Sequence, residues 1–445
     1  MDTVLQIDHH AVDGEQSPNG QPGIVVRALL SVRGTAPERS TRAPIAVSFV
    51  IDRSGSMAGD RIESARMAAA RAVERLHPDD VLSVVVFDDI IEAVAGPDRR
   101  SRHRQLAATL LQLDARGSTN LSGGWLRGRE HMQQAQGLIG SLPGSSRRIL
   151  LLTDGHANMG IIDPSTLVEL ARTARSMGIS TTTVGIGDGY DDALLRAMAD
   201  AGGGNAWYIE RPDQSQDVLA EELGNLLSVC AQGVTVRLAL AAAVSVVVVH
   251  SDWPCATPEP GVFHFDLGDL YAAEPKPLLF ELFVPSERIA LLATEGAPIA
   301  TATVRADVLV SGGRVEHRVV HLPIASTLEG QHRLEPDVES AVLLARAAKA
   351  REEAVQRQRN GEAHIAESLM REQSAVLASS PLFAHPEFAE QFEASVSDLT
   401  GLAEKYQRGT FDELDAKYQM QRTYNQRRGK HKYDEQLRRK PPEET

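Results

Sequence analysis

"IAVSFVIDRSGSMAGDR", Ile45 to Arg61, decides how this chain reads. Its first residues are apolar on both faces, the pattern of a strand covered by helices on either side, and the run ends in an aspartate, Asp52. Ser54 and Ser56 follow at alternate positions, so one strand end delivers a carboxylate and two hydroxyls to the same spot. The next stretch, "DRIESARMAAARAVERLH", sets Ile62, Ala65, Ala69, Val73 and Leu76 on one stripe at helical spacing. Asp60, with Glu63 three residues on, reads as the cap of that helix.

The same texture continues outward. "VLSVVVF", "RILLLTD" and "ISTTTVGIG" are further two-faced strands. "DPSTLVELARTARSMG" is a helix with Asp163 as cap, Pro164 in the first turn, where its missing N–H costs nothing, and Gly178 at its end. Strand and helix alternate from Pro44 to Cys230, which predicts a doubly wound, Rossmann-like α/β domain over residues 44–230.

On either side the pattern changes. Val4 to Val12 and Ile24 to Val32 read as strands, and so do six runs between Val234 and Ser326, with turn residues such as Ser311 to Gly313 between them and no helical periodicity. Two strands alone are unstable, so residues 1–43 are expected to join residues 231–330 in one β-sandwich, with the α/β domain inserted between. Residues 335–445 read as a helical region. In it, Phe388, Phe392, Val396, Leu399 and Leu402 share one face, and Thr410 with Glu413 forms a capping box. Its end, from Asn425, reads as a basic, solvated tail that frays.

Composition bounds the function. At 445 residues, two or three domains are expected. The net charge of −14 argues against a nucleic-acid or anionic-membrane binder. Cys230 and Cys255 form no CxxC or CxH arrangement, and two inert thiols in a reducing compartment are expected. The start lacks the basic and apolar regions of a secretory signal, and the most apolar run, Leu238 to Val249, is shorter than the about 20 residues a membrane span needs. A soluble cytoplasmic protein is the expectation.

In an open parallel sheet, binding side chains gather beyond the carboxyl ends of strands at the point where strand order reverses. Asp52 ends one such strand, Asp154 ends another in "RILLLTDG", and Thr119 lies in the glycine-flanked loop "ARGSTNLSGG" before a helix. Two carboxylates and three hydroxyls are thus expected to converge from three segments. All are hard oxygen donors, which suit Mg²⁺ or Mn²⁺ rather than zinc or copper. A bare helix entry would explain Asp52 and its serines, but not the Thr loop and the TDG strand end in the same order.

These residues, Asp52-Arg53-Ser54-Gly55-Ser56, Thr119 within "GSTN" and Asp154 within "TDG", resemble the von Willebrand factor type A domain and its metal-ion-dependent adhesion site. The resemblance implies that Asp52, Ser54, Ser56, Thr119 and Asp154 bind a divalent cation whose open position accepts a Glu or Asp from a protein partner. Ser118 stands where the family more often has a second glycine. The downstream part is similar to bacterial proteins related to inter-alpha-trypsin inhibitor heavy chains, and the resemblance also implies a separate AAA+ ATPase as an associated protein. No GxxxxGK[ST] loop is present, so no P-loop ATPase activity is expected of the chain itself.

Other signals read blandly. His317 and His321 lie four apart on a strand, roughly 13 Å and too far for one ion. "GIGDGYDDALL" reads as a turn with Asp191 or Asp192 capping a helix, "AGGGNAWYIE" as a turn into an edge strand, and "FDDIIEA" with Asp88 and Asp89 as a hairpin turn, while His156, just after the TDG, reads either as overhanging the metal or as an exposed loop histidine. The competing functional reading is a Mg²⁺-dependent phosphohydrolase of the haloacid-dehalogenase kind, with Asp52 as nucleophile. That chemistry needs a second carboxylate where Ser54 stands, and only Arg53 offers a nearby cation for phosphate. A third reading lets the metal merely tie loops together while the C-terminal helices make the contacts.

Overall fold

The computed structural model describes residues 1–12, 20–35, 44–99, 103–140, 145–155, 157–187, 189–209, 214–272, 274–310, 314–325 and 332–429. The chain opens with β1 (Asp2–Val12) and β2 (Gly23–Arg33), paired antiparallel from Asp2 opposite Arg33 to Val12 opposite Gly23. An α/β unit follows: β3 (Ile45–Asp52), α1 (Asp60–Arg75), β4 (Val81–Phe87), β5 (Ile91–Arg99), α2 (His103–Leu110), α3 (Leu121–Ile139), β6 (Ser146–Thr153), α4 (Pro164–Ser176), β7 (Ile179–Ile186), α5 (Asp192–Ala201), β8 (Gly203–Ile209) and α6 (Ser215–Leu227). Its six strands lie in the order β5-β4-β3-β6-β7-β8, parallel except for the antiparallel hairpin strand β5.

The two-faced strand β3 explains why the sheet is covered on both sides. Ile45, Val47, Phe49 and Ile51 pack with Ile62, Ala65, Ala69, Val73 and Leu76 of α1 and with Leu223 of α6. Ala46 and Val50 face the other way, onto Trp125 and Met132 of α3 and Leu167 of α4. Helix α3 sits close because residue 128 is glycine, where a Cβ would lie 2.5 Å from Val50 Cγ2. Each fully buried aliphatic side chain here contributes about 1.5–3 kcal/mol.

Helix α1 corrects one expectation. Gly59, with φ of +81°, is its cap, and no side chain caps it; Asp60 is already the first helical residue. The chain reverses at Gly59, which no L-residue does readily, so the helix begins one position before an Asp60 cap would allow. Asp60 and Glu63 then lie in the first turn, where the helix dipole favours acids. At α4 the reading holds, with the Asp163 side chain accepting from Thr166 N and Pro164 in the first turn.

The remaining strands are β9 (Val229–Leu240), β10 (Ser245–Val249), β11 (Cys255–Glu259), β12 (Val262–Tyr271) and β13 (Pro275–Pro285), then helix α7 (Ser286–Glu295), then β14 (Ala300–Val310), β15 (Arg314–Ile324) and β16 (His332–Arg333). They form two antiparallel sheets, β10-β13-β2-β1-β16 and β11-β12-β9-β14-β15. The N-terminal hairpin thus joins the later strands, and Val26, Leu30 and Phe280 of one sheet share a core with Val236, Phe265 and Val304 of the other. Helix α7 is an element the strand-only reading of this region missed: a short crossover held by buried Leu292, too brief to announce a helical period. β11 was also missed, because all its residues are exposed and no alternation marks it. Ser311 to Gly313 lie outside the described residues.

Among the described residues, four helices follow the sandwich: α8 (Pro336–Arg359), α9 (Ala363–Ser379), α10 (Ala389–Arg408) and α11 (Glu413–Arg427). Phe388, Phe392, Leu399 and Leu402 meet Ala347, Ala354, Met370 and Leu377 in their common core, with Val396 at its margin. Val338 and Val342 of α8 cover Leu29 and Leu279 on the outer face of the first sandwich sheet. The capping box of α11 is Asp412 with Asp415, not Thr410 with Glu413; Asp412 accepts from Asp415 N at 2.9 Å. The helix starts later because Thr410 N bonds back to Lys405 O and finishes α10 instead.

The frayed-tail expectation fails for residues 425–429. Helix α11 is polar yet buried at a junction, with Lys417 Nζ donating to Tyr190 O at 2.8 Å and Gln421 Nε2 to Ala206 O at 2.9 Å. Arg427 pairs with Asp252 at 2.7 Å and Glu352 at 3.2 Å, and buried Arg428 pairs with Asp200 at 2.7 Å. Basic residues that read as solvated are instead neutralised by carboxylates distant in sequence. Residues 430–445, the rest of that basic stretch, lie outside the described residues. No described helix is long and apolar enough to cross a membrane.

Candidate metal centre

β3 lies between β4, reached through α1, and β6, reached through α3, so the carboxyl ends of β3 and β6 open where the sheet order reverses. Asp52, the last residue of β3, is fully buried. Its Oδ1 accepts from Ser54 N at 2.8 Å and its Oδ2 from Thr153 Oγ1 at 2.5 Å, so the next strand and its own loop fix the carboxylate. Ser54 Oγ and Ser56 Oγ are 3.1 Å apart. One strand end therefore does gather the carboxylate and both hydroxyls.

The loop before α3 is stitched to that strand end by the backbone. Gly55 N donates to Gly117 O at 3.0 Å and Arg116 N to Arg53 O at 2.7 Å. Gly117 has φ of +70°, and a Cβ there would lie 2.0 Å from Asp89 Oδ1, so the loop closes only around glycine. Thr119, 2% exposed, is ordered from the third segment: its N donates to Asn158 Oδ1 at 2.8 Å, and its carbonyl accepts from Asn158 N and Met159 N at 3.1 Å each. Asn120 caps α3, accepting from Gly123 N at 3.0 Å.

Asp154 follows Thr153 at the end of β6. It is fully buried, and neither carboxylate oxygen has a hydrogen-bond partner. Arg61 Nη1 of α1 stands 3.6 Å from Oδ2 while donating to Ser56 O at 3.0 Å. Burial pushes the Asp52 carboxyl up to about 6, against the hydrogen bonds from Thr153 and Ser54, and the charge of Asp154 adds to the rise. Two crowded buried carboxylates, one with orphan oxygens, are costly unless a cation joins them.

The donor set is chemically specific. Among the described residues no group of three or more His, Cys, Asp or Glu could hold a metal. A cation at this centre would draw on hydroxyls as well as two carboxylates, an all-oxygen set that suits Mg²⁺ or Mn²⁺. The orphan oxygens of Asp154 fit such an ion.

Sequence reasoning missed the groups that support the centre: Thr153, Asn158, Arg61 and Asp88. "FDDIIEA" does turn between β4 and β5, but Asp88 is fully buried, and its Oδ2 accepts from Arg53 Nε and Arg116 Nε, both at 2.9 Å. Burial alone would raise the Asp88 carboxyl; hydrogen bonds from Arg116, Ile90 N and Arg53 outweigh it and hold the carboxyl below its usual range. Arg53 also reaches Glu92 at 3.0 Å. The cation on which the phosphohydrolase reading leaned is thus committed to two carboxylates. A doubled aspartate at a strand end was the available signal, but its arginine partners lie 35 and 28 residues away, beyond any local pattern.

The blandly read motifs sit elsewhere. His317 and His321 lie on β15 and bond Asp307 and Thr303 of β14, at 2.5 and 3.1 Å. Asp191 caps α5, accepting from Leu194 N at 3.0 Å, and β8 is the edge strand. Cys230 is buried, its thiol pushed up to about 11 by burial, while Cys255 is exposed. His156 lies outside the described residues.

Residues 46–221 match the family model of the von Willebrand factor type A domain. The protein YfbK of Escherichia coli (strain K12) is 30% identical over 282 residues, 61% of this chain and 48% of that protein. Inter-alpha-trypsin inhibitor heavy chain H1 of Sus scrofa is 29% identical over 187 residues, 41% of this chain and 21% of that protein. The chain thus spans about half of the first relative's length and about a fifth of the second's. Among solved structures, von Willebrand factor type A from Catenulispora acidiphila aligns with a TM-score of 0.60 over 90% of this chain and 96% of that one, at 16% identity, a likeness of fold.

Proposed function

Because residues 46–221 form a von Willebrand factor type A domain, we propose that the chain is a divalent-cation-dependent protein-binding and scaffold protein rather than an enzyme. In this reading Asp52, Ser54, Ser56, Thr119 and Asp154 hold Mg²⁺ or Mn²⁺. The cation supplies an electrophilic position that accepts an Asp or Glu carboxylate of a protein partner. The observation that carries the reading is Asp154, buried with neither oxygen hydrogen-bonded, beside a second buried carboxylate.

The chain's own residues do the positioning. Thr153 and Ser54 N hold Asp52 in one orientation, Asn158 holds the Thr119 loop, and Asp88 clamps the loops of Arg53 and Arg116. Such rigid outer support is what keeps ligand oxygens in place when a cation binds. The sandwich and the helices α8–α11 form the scaffold. A separate AAA+ ATPase belongs to the proposal as an associated protein, on the sequence resemblance alone.

The test is affinity capture from the native host with and without EDTA, beside the Asp52→Ala variant. Proteins lost under both conditions are the cation-dependent partners. Capture indifferent to chelator and to Asp52→Ala would falsify the reading.

A further inference from the structure

Among the described strands, every sheet edge but one is blunted. In the α/β unit β5 slips register against β4 and carries Pro97, and β8 slips register against β7. In the sandwich β10 and β11 are five residues each and irregular, and β16 is two residues. Short, bulged or proline-bearing edges do not template a further strand. β15 has none of these defects over most of its length: its 11 residues run in unbroken register with β14, and Pro323 lies near the far end. β14 is the one strand it pairs with among those described, so its other edge offers backbone N–H and C=O groups to a further chain.

Side chains alternate along a strand, so Glu316 and Arg318 share one face of β15, and Val315, His317 and Val319 share the other. Arg314, Glu316, His317, Arg318 and Val319 are exposed, and Val319, a large apolar residue, is exposed by 51%. Charges on an edge ordinarily keep a like strand away, because pairing sets like charges together. The order Glu316-His317-Arg318 removes that penalty. In an antiparallel pair of copies centred on His317, Glu316 of each faces Arg318 of the other, and Val315 of each faces Val319 of the other. Moving the centre by one residue either way sets Glu316 or Arg318 opposite its own copy, so charge selects one register. Within a single copy Arg318 Nη2 lies 3.1 Å from Glu316 Oε2. Four charges would then alternate in sign around the two-fold axis, and each carboxylate would meet an arginine along its strand and another across it.

We infer that β15 is a self-association edge, and that the partner it fits is a second copy of this chain, paired antiparallel about His317 to join the two β11-β12-β9-β14-β15 sheets into one. The contact lies in the sandwich and does not depend on the metal-site reading.

The experiment is sedimentation velocity of the full-length protein across a concentration series, with circular dichroism to confirm the fold of each variant. Wild type is expected to move from monomer to dimer as concentration rises. Glu316→Arg and Arg318→Glu each set like charges across the axis and are expected to remain monomeric. Mixed in equal amounts, the two variants are expected to form a one-to-one heterodimer, because each supplies the charge the other needs. The double variant Glu316→Arg with Arg318→Glu exchanges the two charges and is expected to dimerise like wild type. Wild type that stays monomeric throughout, dimers that persist in both single variants, or a mixture and a double variant that stay monomeric overturn the inference. So does assembly beyond the dimer, since a two-fold contact closes on itself.

Discussion

Thr153 Oγ1 donates a 2.5 Å hydrogen bond to Asp52 Oδ2, tying the carboxylate that ends β3 to the strand beside it. The bond joins residues 101 apart in sequence and leaves Asp52 a single orientation. Replacing the hydroxyl with a methyl in Thr153→Val keeps the size and removes the tether. The expected result is cation binding weakened by about tenfold, the usual cost of losing an outer support of a metal ligand. Mn²⁺ titration of the variant checks this, and unchanged affinity would show the bond to be idle.

Asp154 makes a prediction of opposite sign in two buffers. Its buried oxygens have no hydrogen-bond partner, so in EDTA the neutral variant Asp154→Asn is expected to be more stable than wild type by about 1–3 kcal/mol. Adding Mg²⁺ stabilises wild type by mass action and leaves the variant unchanged, so the order reverses or the gap closes. Thermal unfolding of both proteins in both buffers decides it.

A second buried pair ties the α/β unit to the sandwich. Arg148 of β6 and Glu222 of α6 are fully buried and 2.8 Å apart; Arg148 also bonds Tyr271 of β12 at 3.0 Å, and Glu222 accepts from Asn205 and Trp207. Burial opposes the charge on both, yet the partners keep the Glu222 carboxyl low and the guanidinium high. Breaking the pair from one side in Arg148→Met strands a buried carboxylate and is expected to cost about 3–5 kcal/mol. Arg148→Met with Glu222→Leu is expected to cost clearly less than the sum of the single changes. Urea unfolding of the double-mutant cycle measures the coupling.

Glu281 carries the pH dependence. It accepts from His250 at 2.7 Å and pairs with Arg346 of α8 at 3.0 Å. Burial would raise its carboxyl, but His250 and Arg346 outweigh burial and hold it at about 2, below the ordinary 4.5. A carboxyl lowered on folding stabilises the protein fully above its unfolded value and loses that stabilisation as pH falls toward its folded value. Wild type is therefore expected to exceed Glu281→Gln by about 2 kcal/mol at neutral pH, with the gap shrinking between pH 4.5 and 2. A gap independent of pH would refute the ion-pair account.

Arg428 reports on the end of the chain. It is buried, bonds Asp200 and Asp252 O, and its guanidinium lies over the rings of Trp253 and Tyr424 at 4.8 and 4.6 Å. Arg428→Ala is expected to destabilise the protein by about 3 kcal/mol and to expose α11 to limited proteolysis. A variant as stable and as resistant as wild type would show that residues 425–429 are only loosely attached.

Strands β3, β4, β6 and β7 were legible because each is apolar on both faces, and the stripe from Ile62 to Leu76 carried its helix; β5 was not, because most of its side chains are exposed and only the hairpin turn before it leaves a mark. For the candidate centre, the sequence offered Asp52, Ser54, Ser56, Thr119 and Asp154 because strand ends and a glycine-flanked loop mark where a doubly wound sheet exposes its side chains. Thr153, Asn158, Asp88 and Arg61 could not. Their partners lie up to about a hundred residues away, and a threonine at a strand end looks the same whether or not it holds a carboxylate.

Periodicity and residue chemistry are properties of short stretches, so the sequence by itself determined the layered α/β unit, the strand-rich flanks, the helical end and the oxygen character of the centre. Only the tertiary structure decided that the Asp154 oxygens accept no hydrogen bond, that Arg61 stands beside them, and that the polar helix α11 is buried. Those facts depend on which charges are brought within a few ångströms of each other after the chain has folded, and no local pattern encodes that distance.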